Sequence, residues 1–312
     1  MPYFNYDLHA IPAGAASYWQ RRAFVNAWWA IARDDERWTP PPYARLRRAL
    51  NPRHNGHLAR LDAALLTLEA LHYTGLQRAR TDQQEIPLTS VLSRPLAAAV
   101  VAADPRRRDA TAQVAFLHAA SEPEALDRLY DYLAETWGEA DYHRAIGPVG
   151  LSPHLGSGLL VDAWDAPPPQ HTPTNPPYLP ELVERRARAV QMGRLYHVAV
   201  AEAGTGGTSE VRPFAVERLA GDLLPLLAAA TENAAGFPSP DAAEAAFLLG
   251  EVGAAAAGGL VERDGAPVGF VLLAPDAAAR LRATRGGRPL WALAALALAG
   301  RRPATAGRLL WG

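Results

Sequence analysis

The stretch Gln113–Ala119 is apolar and of strand length, Glu122–Trp137 has a helical period, and Tyr142–Val149 is again of strand length. No other feature constrains the fold as much. Leu126, Leu129, Tyr130 and Leu133 recur at the spacing that lines one face of a helix. Ser121 is placed to cap it, and Glu122 and Glu124 favour its positive end. A strand, a helix that must bury one face and a further strand together call for an α/β layer.

The same alternation runs through the first half. Ser17–Arg33 reads as a helix with Tyr18, Phe24, Val25, Trp28, Trp29 and Ile31 on a broad apolar face, ended by Pro40-Pro41-Pro42. Tyr43–Leu50 is a short helix stopped at Asn51-Pro52. Ala63–Leu71 is a dense apolar run that periodicity leaves open as strand or helix. His72–Arg94, polar and irregular, reads as a surface insertion. Leu96–Ala103 reads as a strand, followed by the charged turn Asp104–Asp109, and Leu159–Val161 as a further short strand. Seven prolines keep Asp165–Pro180 extended until a helix, Glu181–Val190, and a strand, Leu195–Ala203.

Gly204–Thr208 reads as a linker. Beyond it the pattern repeats. Ser209–Phe214 is a strand, Val216–Thr231 a helix, and Ser239-Pro240-Asp241 opens another helix with a cap and a first-turn proline. Asp264-Gly265 between Leu260–Arg263 and Val268–Leu273 signals a hairpin, because that dipeptide suits a type I′ turn. Ala277–Arg285 reads as a short helix, Leu290–Ala299 as a buried or half-buried one, and Ala304–Trp311 as a strand. The expected organisation is therefore a first unit over 1–203, the linker 204–208 and a second unit over 209–312.

Composition excludes several chemistries. There is no cysteine, and all 31 basic residues are arginine. Disulfides, thiolate metal sites, a lysine Schiff base and a P-loop lysine are therefore absent. A net charge of −1 gives no basic face for nucleic acid. Met1–Ala10 carries Asp7 and no basic residue, unlike a signal peptide, so the expected location is the cytoplasm. Leu290–Ala299 is too short for a membrane span, which takes about 20 residues. His54 and His57 lie three apart, but Asn51-Pro52 and Gly56 disfavour a regular helix there and no third ligand is evident, so no metal is expected. No G-x-S-x-G elbow is present, and Gly204–Thr208 lacks phosphate-loop spacing. Tyr130, Asp131 and Tyr132 read as ordinary helix residues.

Three groups of residues carry a resemblance. The first is Ile146-Gly147-Pro148-Val149-Gly150-Leu151-Ser152, then Gly158-Leu159-Leu160-Val161-Asp162-Ala163-Trp164-Asp165-Ala166-Pro167-Pro168, then Asn175-Pro176-Pro177-Tyr178. The second is Arg33-Asp34-Asp35-x-x-Trp38-x-Pro40-Pro41 with Leu50-Asn51-Pro52. The third is Asp264-Gly265-x-x-Val268-Gly269-Phe270 with Ala274-Pro275-Asp276. Taken together in their order along the chain, they are similar to a bacterial family of tandem GNAT-type acyltransferases. Gly147, Pro148, Asp162, Asp165, Asn175 and Tyr178 are the signature residues.

The resemblance implies two GNAT-like mixed sheets in series, the second incomplete, with acetyl-CoA or another acyl-CoA held where two strands part. It implies acyl transfer to an amine, of a small molecule or a peptide. In that superfamily the pyrophosphate lies on a loop of pattern [RQ]-x-x-G-x-[GA] before a helix, where glycines admit the backbone and free N–H groups bind the anion. The matching segment here, Ala119-Ala120-Ser121-Glu122-Pro123-Glu124, has no glycine and brings two carboxylates. CoA is therefore not expected in the usual mode in this half. The superfamily's proton donor is a tyrosine on the following helix. Laying Asn175 on the first position of that helix puts Leu182 in its place, with Tyr178 a turn early. Tyr178 is the one catalytic candidate, and the simpler role for its ring is to anchor a proline-rich turn. In the second half the loop would follow Ala304–Trp311, where the sequence stops; Arg285-Gly286-Gly287-Arg288 reads as a turn. Three functions compete: an N-acyltransferase, a non-catalytic GNAT-like protein that binds a ligand or partner, and a fragment of a longer acyltransferase. An uncovered last strand would invite a homodimer through the C-terminal segment.

Overall fold

The computed structural model describes residues 5–81, 84–152, 154–165, 168–189, 210–214, 219–231, 237–252, 257–263, 265–288, 291–292, 294 and 307–311. It is a mixed α/β structure with two sheets. The first contains β1 (Asn5–Pro12), β2 (Asp62–Thr81), β3 (Gln84–Ala103), β4 (Thr111–Ala119) and β5 (Arg144–Val149), in that spatial order. Pairing is antiparallel from β1 to β4 and parallel between β4 and β5. A parallel neighbour needs a crossover. α3 (Pro123–Tyr132), continued by a π-helical turn at Leu133–Trp137, supplies it.

The run Leu96–Ala103 is apolar at every position because β3 is covered on both faces. Ala98, Val100 and Ala102 face a core built by α1 (Tyr18–Ala32) and α2 (Tyr43–Ala49), with Phe24, Val25, Trp28 and Trp29. Ala97, Ala99, Val101 and Ala103 face α3 and α4 (Tyr178–Glu184), with Leu126, Leu129, Leu179 and Val183. α1 starts in a capping box in which the Ser17 side chain accepts from Gln20 N and the Gln20 side chain accepts from Ser17 N.

The second sheet is antiparallel, in the order β6 (Glu210–Phe214), β7 (Ala257–Arg263), β8 (Ala266–Pro275) and β9 (Gly307–Trp311). α5 (Leu219–Thr231) packs Leu223, Leu226 and Leu227 on Leu260, Phe270 and Leu272. α6 (Ala242–Val252) and α7 (Ala278–Ala283) reach back to the first half. Arg106 binds Glu244 and Asp241, Arg60 pairs with Asp241, and Arg282 donates to Thr39.

Several expectations are corrected. His72–Arg94 is not an irregular insertion; it forms the outer ends of β2 and β3, paired from His72↔Leu92 to Thr81↔Gln84. The ladder is made by backbone N–H and C=O groups, so a polar, aperiodic segment can still pair as strand. Ala63–Leu71 resolves as strand. Ser121 does not cap α3: the cap position is Glu122, without a side-chain cap bond. Leu159–Val161 is not a strand; Asn175 Oδ1 accepts from Leu160 N and its Nδ2 donates to Leu160 O, so one amide takes the place of a strand partner. α4 is shorter than the helix expected at Glu181–Val190 and begins earlier. Asp241, not Ser239, caps α6, its Oδ1 accepting from Ala243 N and Glu244 N. The expected strand Leu195–Ala203 and the linker Gly204–Thr208 lie outside the described residues, as does most of Leu290–Ala299.

Candidate functional site

β4 and β5 part company. Their parallel register runs from Thr111↔Arg144 to Ala115↔Val149, while β4 continues to Ala119. Two local features open the gap. Pairing with β3 jumps from Val100↔Ala115 to Ala98↔His118, which inserts an extra residue into β4, and Phe116 takes a left-handed φ of +52° there. On β5 the pairing with β4 jumps from Gln113↔Ile146 to Ala115↔Val149, which inserts an extra residue there, and Pro148 has no N–H to donate. Gly147 is required by proximity: a Cβ would lie 2.5 Å from Val114 O on β4.

The gap is a cavity of about 150 Å³. Phe116, Leu117 and His118 come from β4, Trp28 from α1, and Arg45, Leu46 and Ala49 from α2. The turn after β5 brings Gly150, Leu151 and Leu155, and the proline-rich segment brings Gln170–Asn175. Phe247 and Glu251 come from α6, so the second half closes one wall; Arg45 Nη1 donates to Glu251 O at 2.8 Å. Burial pushes the Glu251 carboxyl up, with Arg45 opposing.

His118 was not singled out in the sequence. The available signal was one polar side chain within the apolar strand Val114–Ala119. Its ring stands edge-on to Trp28 at 4.3 Å and to Trp38 at 6.0 Å. It is 5% exposed, and burial pushes its imidazole down to about 3, so it is neutral at pH 7. Trp28 Nε1 donates to Phe116 O at 2.6 Å, satisfying the carbonyl that the extra residue turns out of the ladder.

Acyl-CoA does not fit the loop at the end of β4. Ala120 N donates to Leu96 O and Glu122 N to Ala120 O, each at 2.7 Å, Pro123 has no N–H, and Ala125 N donates to Glu122 O. Few donors remain for a pyrophosphate. Glu122 holds Arg94 at 2.6 Å, so that guanidinium already has a carboxylate partner. The Tyr178 hydroxyl donates to Ala119 O at 2.9 Å, and burial followed by the Asp35 charge pushes its pKa up. Its ring anchors the start of α4 to β4.

Of the signature residues, Pro148 and Asn175 line this cavity. Asp35, Arg37, Trp38, Pro168 and Asn175 line one small crevice. Arg37 binds Asp35, lies over Trp164 at 5.3 Å and donates to Trp164 O. Asp276 accepts from Gln170 N and caps α7 through Ala278 N. Asp162 and Asp165 are exposed. These residues brace the proline-rich segment against α1, α2 and α7.

His54 is exposed, while His57 is 2% exposed with Nε2 3.1 Å from Leu151 O and Nδ1 4.0 Å from Glu244. Burial pushes the neighbouring His154 down. Among the described residues no three His, Asp or Glu gather as a metal site, and no helix is long and apolar enough to cross a membrane.

No known family matches the sequence, and no curated protein is similar to it. Among solved structures, the chain is similar to a tandem GNAT protein from the clavulanic acid biosynthesis pathway, in a form without acetyl-CoA. Identity is 13% and the TM-score is 0.43, over 86% of this chain and 74% of that one.

Proposed function

We propose that the chain is a GNAT-like protein whose first half binds a small molecule between β4 and β5 and transfers no acyl group there. One observation carries the reading: the strands separate after Ala115↔Val149 around a cavity of about 150 Å³ walled by Trp28, Phe116, Leu151 and Phe247. Its lining is mostly apolar with a few converging polar groups, the ordinary make-up of a ligand site. The spent amides at Ala120 and Glu122 and the pairing of Glu122 with Arg94 support the exclusion of acyl-CoA. The Tyr178 hydroxyl, bonded to Ala119 O, is held away from a proton-donor role.

Calorimetric titration with acetyl-CoA is expected to give no saturable heat up to millimolar ligand. A micromolar dissociation constant, about −8 kcal/mol, would overturn the reading. In the same samples benzene is expected to shift the Trp28 indole resonance, because a site of this size and lining accepts one ring.

A further inference from the structure

Either ring nitrogen of a neutral imidazole must find a partner or be left unsatisfied, and burial makes the second outcome costly. The backbone of His118 pairs with Ala98, while its side chain makes no hydrogen bond to another described residue. Its contacts are the edges of Trp28 and Trp38, and its ring borders the β4–β5 cavity. His118 is therefore a polar contact in a wall that carries Trp28, Phe116, Leu151 and Phe247 together with polar side chains such as Thr39, Gln170 and Asn175. We propose that the cavity takes a compact apolar molecule, about the size of one six-membered ring, that carries an uncharged hydroxyl group bonded to His118. This inference rests on the ligand-binding reading above and specifies its chemistry.

Two arguments select a hydroxyl. A neutral imidazole offers one N–H and one lone pair, and a hydroxyl is both donor and acceptor, so either tautomer can be matched. A full charge has no counterpart. Burial keeps His118 from protonating to meet an anion. The other charged side chains lining the cavity with a known shift or contact, Arg45 and Glu251, have opposite signs and already adjoin each other. A charged ligand would lose its hydration without a dedicated partner.

The test uses the full chain at pH 7 and four probes of similar shape: phenol, benzene, benzoate and benzylamine. Binding is followed by NMR at the His118 ring nitrogens and the Trp28 indole. Phenol is expected to bind at least tenfold more tightly than the other three and to move a His118 nitrogen, which benzene leaves in place. H118F is expected to bring phenol down to the affinity of benzene. If H118F does not fold, the wild-type nitrogen shift carries the same information. Benzoate or benzylamine binding as tightly as phenol would overturn the uncharged class. Equal binding of phenol and benzene would overturn the role of His118, leaving the cavity reading intact. Silence from all four probes at Trp28 would overturn the cavity reading itself.

Discussion

Gly286 and Gly265 both have left-handed backbone, with φ of +66° and +77°, yet their surroundings differ. A Cβ on Gly286 would lie 2.5 Å from Pro41 O and 2.8 Å from Trp29 Cζ2, whereas Gly265 has open space around it. Gly265→Ala should cost about 1 kcal/mol from backbone strain alone. Gly286→Ala adds overpacking and should cost about 3 kcal/mol, read as the difference between the two urea midpoints. His118 carries a pH signature. Its pKa is lowered from 6.5 to about 3 on folding, so between those values the unfolded chain binds the extra proton. Its contribution is complete above pH 6.5 and declines as pH falls toward 3, by up to about 1.4 kcal/mol per pH unit. Unfolding of the wild type and of H118F at pH 7 and pH 5 should show a smaller loss in the variant. The sequence shows a histidine in an apolar strand, but only the packing of Trp28 and Trp38 around it makes it neutral.

At the scale of elements, α6 is the one to probe. Glu244 at its first turn is 2% exposed, and Arg106 Nη2 reaches it at 3.2 Å. Arg106 also binds both oxygens of Asp104 and donates to Asp241 and to Ser239 O. Arg106→Met leaves a buried carboxylate without its partner and should cost about 3 kcal/mol; adding Glu244→Gln should recover part of that loss. Burial works against the Asp241 charge, but the hydrogen bonds from Arg60 and from Glu244 N prevail and lower it from 3.8 to about 2. Its contribution is present above pH 3.8 and is lost as pH falls toward 2. Amide exchange in α6 should accelerate across that window, ahead of exchange in β3. The pairs of Arg60 and Arg106 with Asp241 and Glu244 are not evident in the sequence, because their members are far apart along the chain. The pairing of β2 with β3 between His72 and Leu92 was hidden for a different reason: the segment lacks period-two patterning, and pairing between backbones leaves no mark in residue type.

For the molecule as a whole, polar bonds join the two sheets: Arg45 to Glu251 O, Arg106 to Glu244 and Asp241, Arg282 to Thr39 and Gln170 N to Asp276. Among the described residues, Phe237 and Phe247 of the second half pack on the first-half core. The wild type should unfold in one transition seen alike by the Trp28 indole and by the β7–β8 amides. R106M combined with Arg282→Met should separate the two probes, the β7–β8 signal being lost first.

The sequence by itself determined the α/β class, the helices read at Ser17–Arg33 and Glu122–Trp137, the strands read at Leu96–Ala103 and Gln113–Ala119, and the hairpin around Gly265, each to within a few residues at its ends. Apolar period and turn chemistry are local, so they survive without knowledge of partners. The absence of glycine from Ala119–Glu124 is local too and can be read directly. Tertiary structure alone decided the site. The register jump that turns Phe116 out of the ladder, the approach of Gly147 to Val114, and the meeting of His118 with residues from α1, α2 and α6 all depend on which strands pair and where pairing stops. Those are properties of distances across the fold, and residue order leaves them open.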